Sequence, residues 1–262
     1  MTRVLPRTNF HSSKLIRCLA DLAIVDSAGS GNAFAEKLGL WIHFADAITL
    51  SAVHNDSIAS LPKMQPKIER DEQFTARTAA GVEFDRIQAI LVNSIMKSCS
   101  PNSGKTHIKL PTPELELPMN LVAAYAPYRR FYEAHQRDME LTIQPLRVNV
   151  REALAKASPR LKQLAGLDAA LEKILRDRES KLLSKVPVLL KKRFEHLFKA
   201  HQQKLVDTQQ ADNPAVWTKA EGWLARFCND MQMLLLAEVE LRLQPTMGLI
   251  EACNEKTKQD TQ

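Results

Sequence analysis

The sequence predicts an all-α fold: an N-terminal helical hairpin, then long kinked amphipathic helices forming an antiparallel bundle or coiled coil. Three observations carry this. Gly is scarce, at 8 of 262 residues. Leu, Ala, Lys, Arg, Glu and Gln dominate, and these side chains lose little rotamer freedom in a helix. In the C-terminal half, apolar residues recur at steps of three and four over stretches too long for strands.

The elements follow in order. Ser12 and Ser13 cap a short helix that reaches about Val25, with Leu15, Ile16, Leu19, Leu22 and Ala23 on one side. Asn32 caps a second helix, in which Phe34, Leu38, Trp41, Ile42, Ala45, Ile48 and Ala52 keep helical spacing. These two form the hairpin. Asn55, Asp56, Pro62 and Pro66 mark a loop. A helix then covers about Lys67 to Ser98, with Phe74, Ala80, Phe84, Ile87, Leu91 and Ile95 inward. Pro101, Pro111, Pro113 and Pro118 remove backbone donors and make residues 101–118 a linker or extended loop.

The most regular part follows. Tyr125, Tyr128, Tyr132, His135, Met139, Thr142, Leu146, Val150 and Ala153 form one stripe on a helix that reaches Ala157 and kinks near Pro145. Ser158 and Pro159 suit an N-cap and a first helical position. The next helix carries Leu161, Leu164, Leu167, Leu171, Ile174, Leu175, Leu182, Leu183, Val186, Leu190, Phe194, Leu197 and Leu205, and Pro187 interrupts it. Asn213-Pro214 opens the last helix, with Trp217, Ala220, Leu224, Phe227, Met231, Leu234 and Leu235 inward and an interruption at Pro245. The resulting organisation is a helical region at 1–100, a linker at 101–118, a long-helix bundle at 119–255 and a frayed tail at 256–262.

Composition narrows the function classes. Hydrophobic residues make up 45% and charged residues 25%, enough for a core. The stretch Leu38–Val53 is the most apolar, yet it holds His43 and Asp46 and is too short to span a bilayer. The first residues lack the apolar run of a signal peptide. Cys18, Cys99, Cys228 and Cys253 are too far apart for a local zinc or redox pair. These features predict a cytoplasmic protein with free thiols, no membrane insertion and no cofactor.

The net charge is +6. Between Arg151 and Asp207 there are 14 Lys and Arg against 7 Asp and Glu, so this region holds the whole excess. Its sharpest part is the face of residues 181–204, with Lys181, Lys185, Lys191, Lys192, Arg193, Lys199 and Lys204. Such a face attracts acidic protein, nucleic acid or anionic membrane.

Other motifs fail on geometry. Residues 101–106 end like a phosphate-binding loop, but the required first glycine is Cys99 and a helix precedes it. Gly29 and Gly31 before Asn32 read as a capping turn. His196 and His201 lie five apart and point in different directions. His135 reads as a hydrogen-bonded core histidine.

Tyr125, Pro127, Tyr128, Phe131, Tyr132, His135 and Met139, continuing to Pro145, Leu146 and Arg147, form a recognisable segment. So do Leu164, Gly166, Leu167, Asp168, Leu171 and Glu172, running through Arg178, Glu179, Leu182, Leu183, Val186 and Pro187 to Arg193 and Phe194. With residues 46–52, they resemble a bacterial family known as domain of unknown function 3348. The resemblance implies no activity, cofactor or catalytic residue. The family's association with genes for membrane proteins of the stator or peptidoglycan-binding type implies a cytoplasmic partner of an envelope assembly.

Together these features predict a non-enzymatic scaffold or adaptor whose helices pair with themselves or with a partner. The alternative is sequence-independent nucleic-acid binding by the basic face. An enzyme ranks third, and a cleft gathering His135, Cys99 or several carboxylates would favour it.

Overall fold

A computed structural model describes residues 13–22, 41–55, 68–100, 106–113 and 120–259, with side chains at 68–77 and 254–259 outside the described set. Its helices are α1 (Lys14–Asp21), α2 (Phe44–Asn55), α3 (Ile68–Cys99), α4 (Leu121–Ala157), α5 (Pro159–Leu183), α6 (Val186–Thr208) and α7 (Trp223–Gln259), with a 3₁₀ turn at Pro214–Val216. No strand occurs among the described residues. The fold is an all-α bundle, as the composition and spacing predict.

Local chemistry sets the helix ends. Asn120 caps α4, its side-chain oxygen accepting from the backbone N–H groups of Val122 and Ala123. Ser158 caps α5 by accepting from Leu161 N–H, with Pro159 at the first helical position. Pro187 sits in the first turn of α6, where its missing donor costs little. The predicted 161–205 helix therefore divides where proline required it. Gln209 ends α6 in the left-handed region at φ 54°, letting the N–H of Gln210 reach the Leu205 carbonyl.

Of the two other prolines, Pro245 does not interrupt the last helix as expected, and Pro145 lies within a helix that runs unbroken to Ala157. Both are exposed, so water can satisfy the carbonyl that each leaves without a donor. The last helix also starts later than predicted. Asn213-Pro214 opens only the 3₁₀ turn, and α7 begins at Trp223. The Trp217 carbonyl accepts from Ala225 N–H, folding the chain back so that Ala220 is exposed. At Gly222 a Cβ would come within 2.1 Å of the Trp217 carbonyl oxygen, so the turn needs glycine.

Helices form two compact units. The first takes the described residues within Met1–Phe34, Val92–Arg137 and Leu182–Leu241. Tyr125 and Tyr128 meet Phe227, while Tyr132 bonds Glu238, so α4 and α7 run in the same direction there. Phe194 meets Phe227 and Phe198 meets Trp223, so α6 runs against them. Tyr125, Tyr128, Tyr132, Leu190, Phe194, Phe227, Met231 and Leu234 make the core.

The second unit takes the described residues within Ala35–Leu91, Asp138–Lys181 and Arg242–Gln262. Arg147 and Arg151 of α4 meet Asp168 of α5, and α2 lies against α5 through Val53 and Gly166. Here α5 buries only Leu161 and Ala165 fully; Leu164, Leu167, Leu171, Ile174 and Leu175 are half-buried.

The N-terminal expectations are corrected in part. Leu15, Leu19 and Leu22 are buried but Ile16 is exposed. The predicted second helix is broken at residues 42–43. The His43 N–H bonds the Asp46 carboxylate, and the His43 carbonyl accepts from Ala47, so a new helix starts at Phe44. Ala45, Ile48 and Ala52, placed inward by spacing, are exposed. Residues 23–40, with the Gly29–Gly31 turn and the Asn32 cap, lie outside the described residues.

Candidate functional site

Helical geometry sorts the predicted basic surface. Residues advance by about 100° per step, so positions seven apart share a face. Val186, Leu190, Phe194 and Leu197 fix the buried side of α6. Lys185, Lys192 and Lys199 lie opposite it, seven apart and exposed, with Val188 and Val206 on the same solvent side. The other predicted members separate from this row. Lys191 stands on the flank, 3.5 Å from Glu195. Arg193 is turned inward and donates to Asp230 at 2.8 Å, with both side chains largely buried. Lys204 is exposed but off the row, and Lys181 is exposed at the end of α5 in the second unit. The basic surface is therefore a row of three lysines, Lys192 and Lys199 on α6 and Lys185 at its N-cap. Arg193 is a core ion pair because buried Asp230 lies across from it.

A cleft of about 740 Å³ opens in the first unit. Ser98, Cys99, Lys109, Tyr128, Leu224 and Cys228 are among its lining residues. Behind it, His135 Nε2 lies 2.9 Å from Ser98 Oγ, and Ser98 Oγ donates to the Ile95 carbonyl at 3.0 Å. The sequence named His135 and Cys99 separately; in the structure Cys99 lines the cleft, whereas His135 is buried outside its lining and touches only the Ser98 hydroxyl of that wall. Of the phosphate-loop-like run, Thr106 lines the cleft and residues 101–105 lie outside the described set.

The electrostatics of this cleft favour neutral groups. Ser98 and Cys99 end α3, where carbonyls and the negative end of the helix dipole point outward. Burial pushes the Cys99 thiol up to about 11 and the Cys228 thiol up to about 12, the latter aided by repulsion from Cys99. Both stay protonated near neutral pH, which makes them poor nucleophiles. Burial lowers His135 to about 4, so it is neutral too.

The His135 shift predicts a pH dependence. Above its ordinary value of about 6.5 the imidazole is neutral in both states. Between there and about 4 only the unfolded chain takes the proton, so stability falls as pH falls. The loss amounts to about 3 kcal/mol. Urea unfolding near pH 7 and near pH 4.5 is expected to show wild type losing most of this amount relative to His135→Gln. Equal pH dependence in the two proteins would contradict it.

Among the described residues the other histidines are hydrogen-bonded or solvent-facing. His201 lies 2.9 Å from Asp212, which also accepts from Trp217 Nε1 at 2.8 Å, while His196 is exposed. Among the described residues no group of three or more His, Cys, Asp or Glu could hold a metal ion. No helix among them is long and apolar enough to cross a membrane.

One surface escaped the sequence reading. Helix α2 has no buried residue. Asp46, Leu50 and Val53 are half-buried, whereas Phe44 is 83% exposed and Ile48, one turn later, 54% exposed. Ala47, Ser51 and Ala52 extend this face with small side chains. The signal was present in sequence: a continuous apolar run without the polar stripe of a surface helix.

An all-α bundle with exposed basic and apolar helix faces defines a class rather than a protein. The chain matches the family described as "Protein of unknown function (DUF3348)" over residues 1–255 and belongs to it. No curated protein and no solved structure matches the chain.

Proposed function

We propose that this protein is a non-enzymatic helical adaptor, and that α2 presents its apolar face to another protein chain. The observation that supports this most directly is Phe44, whose ring is left in water beside Ile48 on a helix with nothing buried. Fully burying such side chains is worth about 2 kcal/mol each, a strong incentive to associate. The tyrosine stripe cannot serve this role, because Tyr128, Tyr132 and Leu190 are consumed within the first unit. The cleft beside Ser98 supports a non-enzymatic reading in its turn: its thiols are protonated and its helix end offers carbonyls where an oxyanion would need donors. A cytoplasmic-side envelope assembly, the setting that the family resemblance implies, is the class of partner to screen first.

Light scattering and pull-down from the native source test the reading with wild type and Phe44→Asp/Ile48→Asp. The double variant is expected to keep its helical content and melting point, since neither side chain supports the core, and to lose association. A wild type that stays monomeric and captures no protein removes the proposal.

A further inference from the structure

We infer that the solvent face of α6 is a docking ladder for an acidic helix of a partner protein. This deepens the adaptor reading and rests on it. Lys185, Lys192 and Lys199 recur every seven residues, so their charges stand roughly 10.5 Å apart along about 21 Å of helix. A second helix laid alongside repeats its own faces at the same interval. Glutamates seven apart on that helix would meet all three lysines in one register.

The acidic groups of α6 lie off this row. Glu195 takes Lys191 on the flank, and Asp207 accepts from Gln203 near the end. The side chains beside the lysines also matter. Val188 is 51% exposed and Val206 72%, both at the margin of the row. They offer apolar contact to the side chains of a helix, and nothing to a phosphate backbone.

Nucleic acid fits the same row less well. Phosphates of one duplex strand succeed each other every 3.4 Å or so along the axis, so a straight ladder with this spacing would leave most of them without a lysine. Arg193, the residue best suited to bidentate phosphate or guanine contact, is committed to Asp230. No Phe, Tyr or Trp lies on the solvent face of α6, where His196 is the single exposed ring, so successive bases would find no row of stacking platforms.

The test is fluorescence anisotropy on the full chain with a labelled synthetic helical peptide. It carries glutamates seven apart, flanked by apolar residues. A second peptide has the same composition with its glutamates spread around the helix. The first is expected to bind in a salt-sensitive manner, more tightly than the second. Lys185→Glu/Lys192→Glu/Lys199→Glu should weaken it at least about tenfold. Lys191→Glu/Lys204→Glu, which moves charge off the ladder, should weaken it far less. Circular dichroism checks that each variant is folded, and the glutamine versions of the ladder positions repeat the test without added repulsion.

The inference is overturned if the two peptides bind equally, if the flank variant loses as much as the ladder variant, or if no peptide binds. Tighter ladder-dependent binding to mixed-sequence duplex DNA, single-stranded RNA or phosphatidylserine vesicles overturns it too. Phe44→Asp/Ile48→Asp separates the two proposals. Association that depends on α2 while the peptide fails to bind leaves the adaptor reading standing and removes only the ladder.

Discussion

Phe194→Ala is expected to cost about 4 kcal/mol, the upper range for removing a buried aromatic ring. Phe194 is 1% exposed and sits at the junction of three helices. Its ring lies 5.5 Å from Tyr125 and 5.8 Å from Tyr128 on α4. It lies 5.0 Å from Phe227 and 5.2 Å from Trp223 on α7. All four contacts are edge-to-face or tilted, so each adds to area burial through the ring quadrupoles. Truncation removes one partner from all four at once and leaves a cavity walled by rigid rings that cannot collapse. Phe194→Leu keeps most of the volume and should cost about half as much. Urea titration gives both numbers. A loss below about 1.5 kcal/mol for the alanine variant would show that the rings re-pack readily and that this junction is not central.

The core stripe was legible because helical periodicity and burial are two readings of one pattern. Tyr125, Tyr128, Tyr132, Met139 and Leu146 are buried as their spacing requires. Proline was less legible, since its effect depends on where its missing donor falls. Pro187 falls in a first turn and marks a boundary, whereas Pro145 and Pro245 face solvent inside unbroken helices. Periodicity also says which residues share a face but not which face finds a partner. That is why Ile48 and Ala52 were placed inward on a helix that exposes them.

Charge was legible in sum and illegible in detail. A count along residues 181–204 treats Arg193 and Lys192 alike, yet one is paired in the core and the other stands in water. The deciding residue is Asp230, 37 positions away. The same limit hid Ser98 beside His135, also 37 positions apart. It hid fully buried Glu238 as well, which accepts from Tyr132 at 2.9 Å and from Gln136 at 3.0 Å. Polar partners that meet across helices follow no period, so only the fold reveals them.

Asp168→Ala is likewise expected to cost about 4 kcal/mol, by leaving buried charge without its partner. Asp168 accepts from Arg147 at 2.9 and 2.5 Å and from Arg151 at 2.6 Å, with all three side chains little exposed. Arg151 also reaches Glu172, which accepts from Arg176 at 2.7 Å. Burial pushes the Glu172 carboxyl up, but hydrogen bonds from Arg176 and Arg151 outweigh it and hold it below the ordinary range. Removing Asp168 therefore takes from Arg147 its hydrogen-bonded carboxylate, with only the charge of Glu172 nearby, and leaves Arg151 with half its bonding. The cost comes from the stranded cations more than from the lost attraction, and this separates two outcomes. Arg147→Met/Asp168→Leu removes a cation together with the carboxylate, so it should recover most of the stability lost in Asp168→Ala. Urea unfolding of Arg147→Met, Asp168→Leu and the double variant closes the cycle that measures the coupling. If the double variant is no more stable than the alanine variant, the attraction itself was the larger part. The half-buried leucines of α5 would then be relying on that attraction to hold α5 against α4 in the second unit.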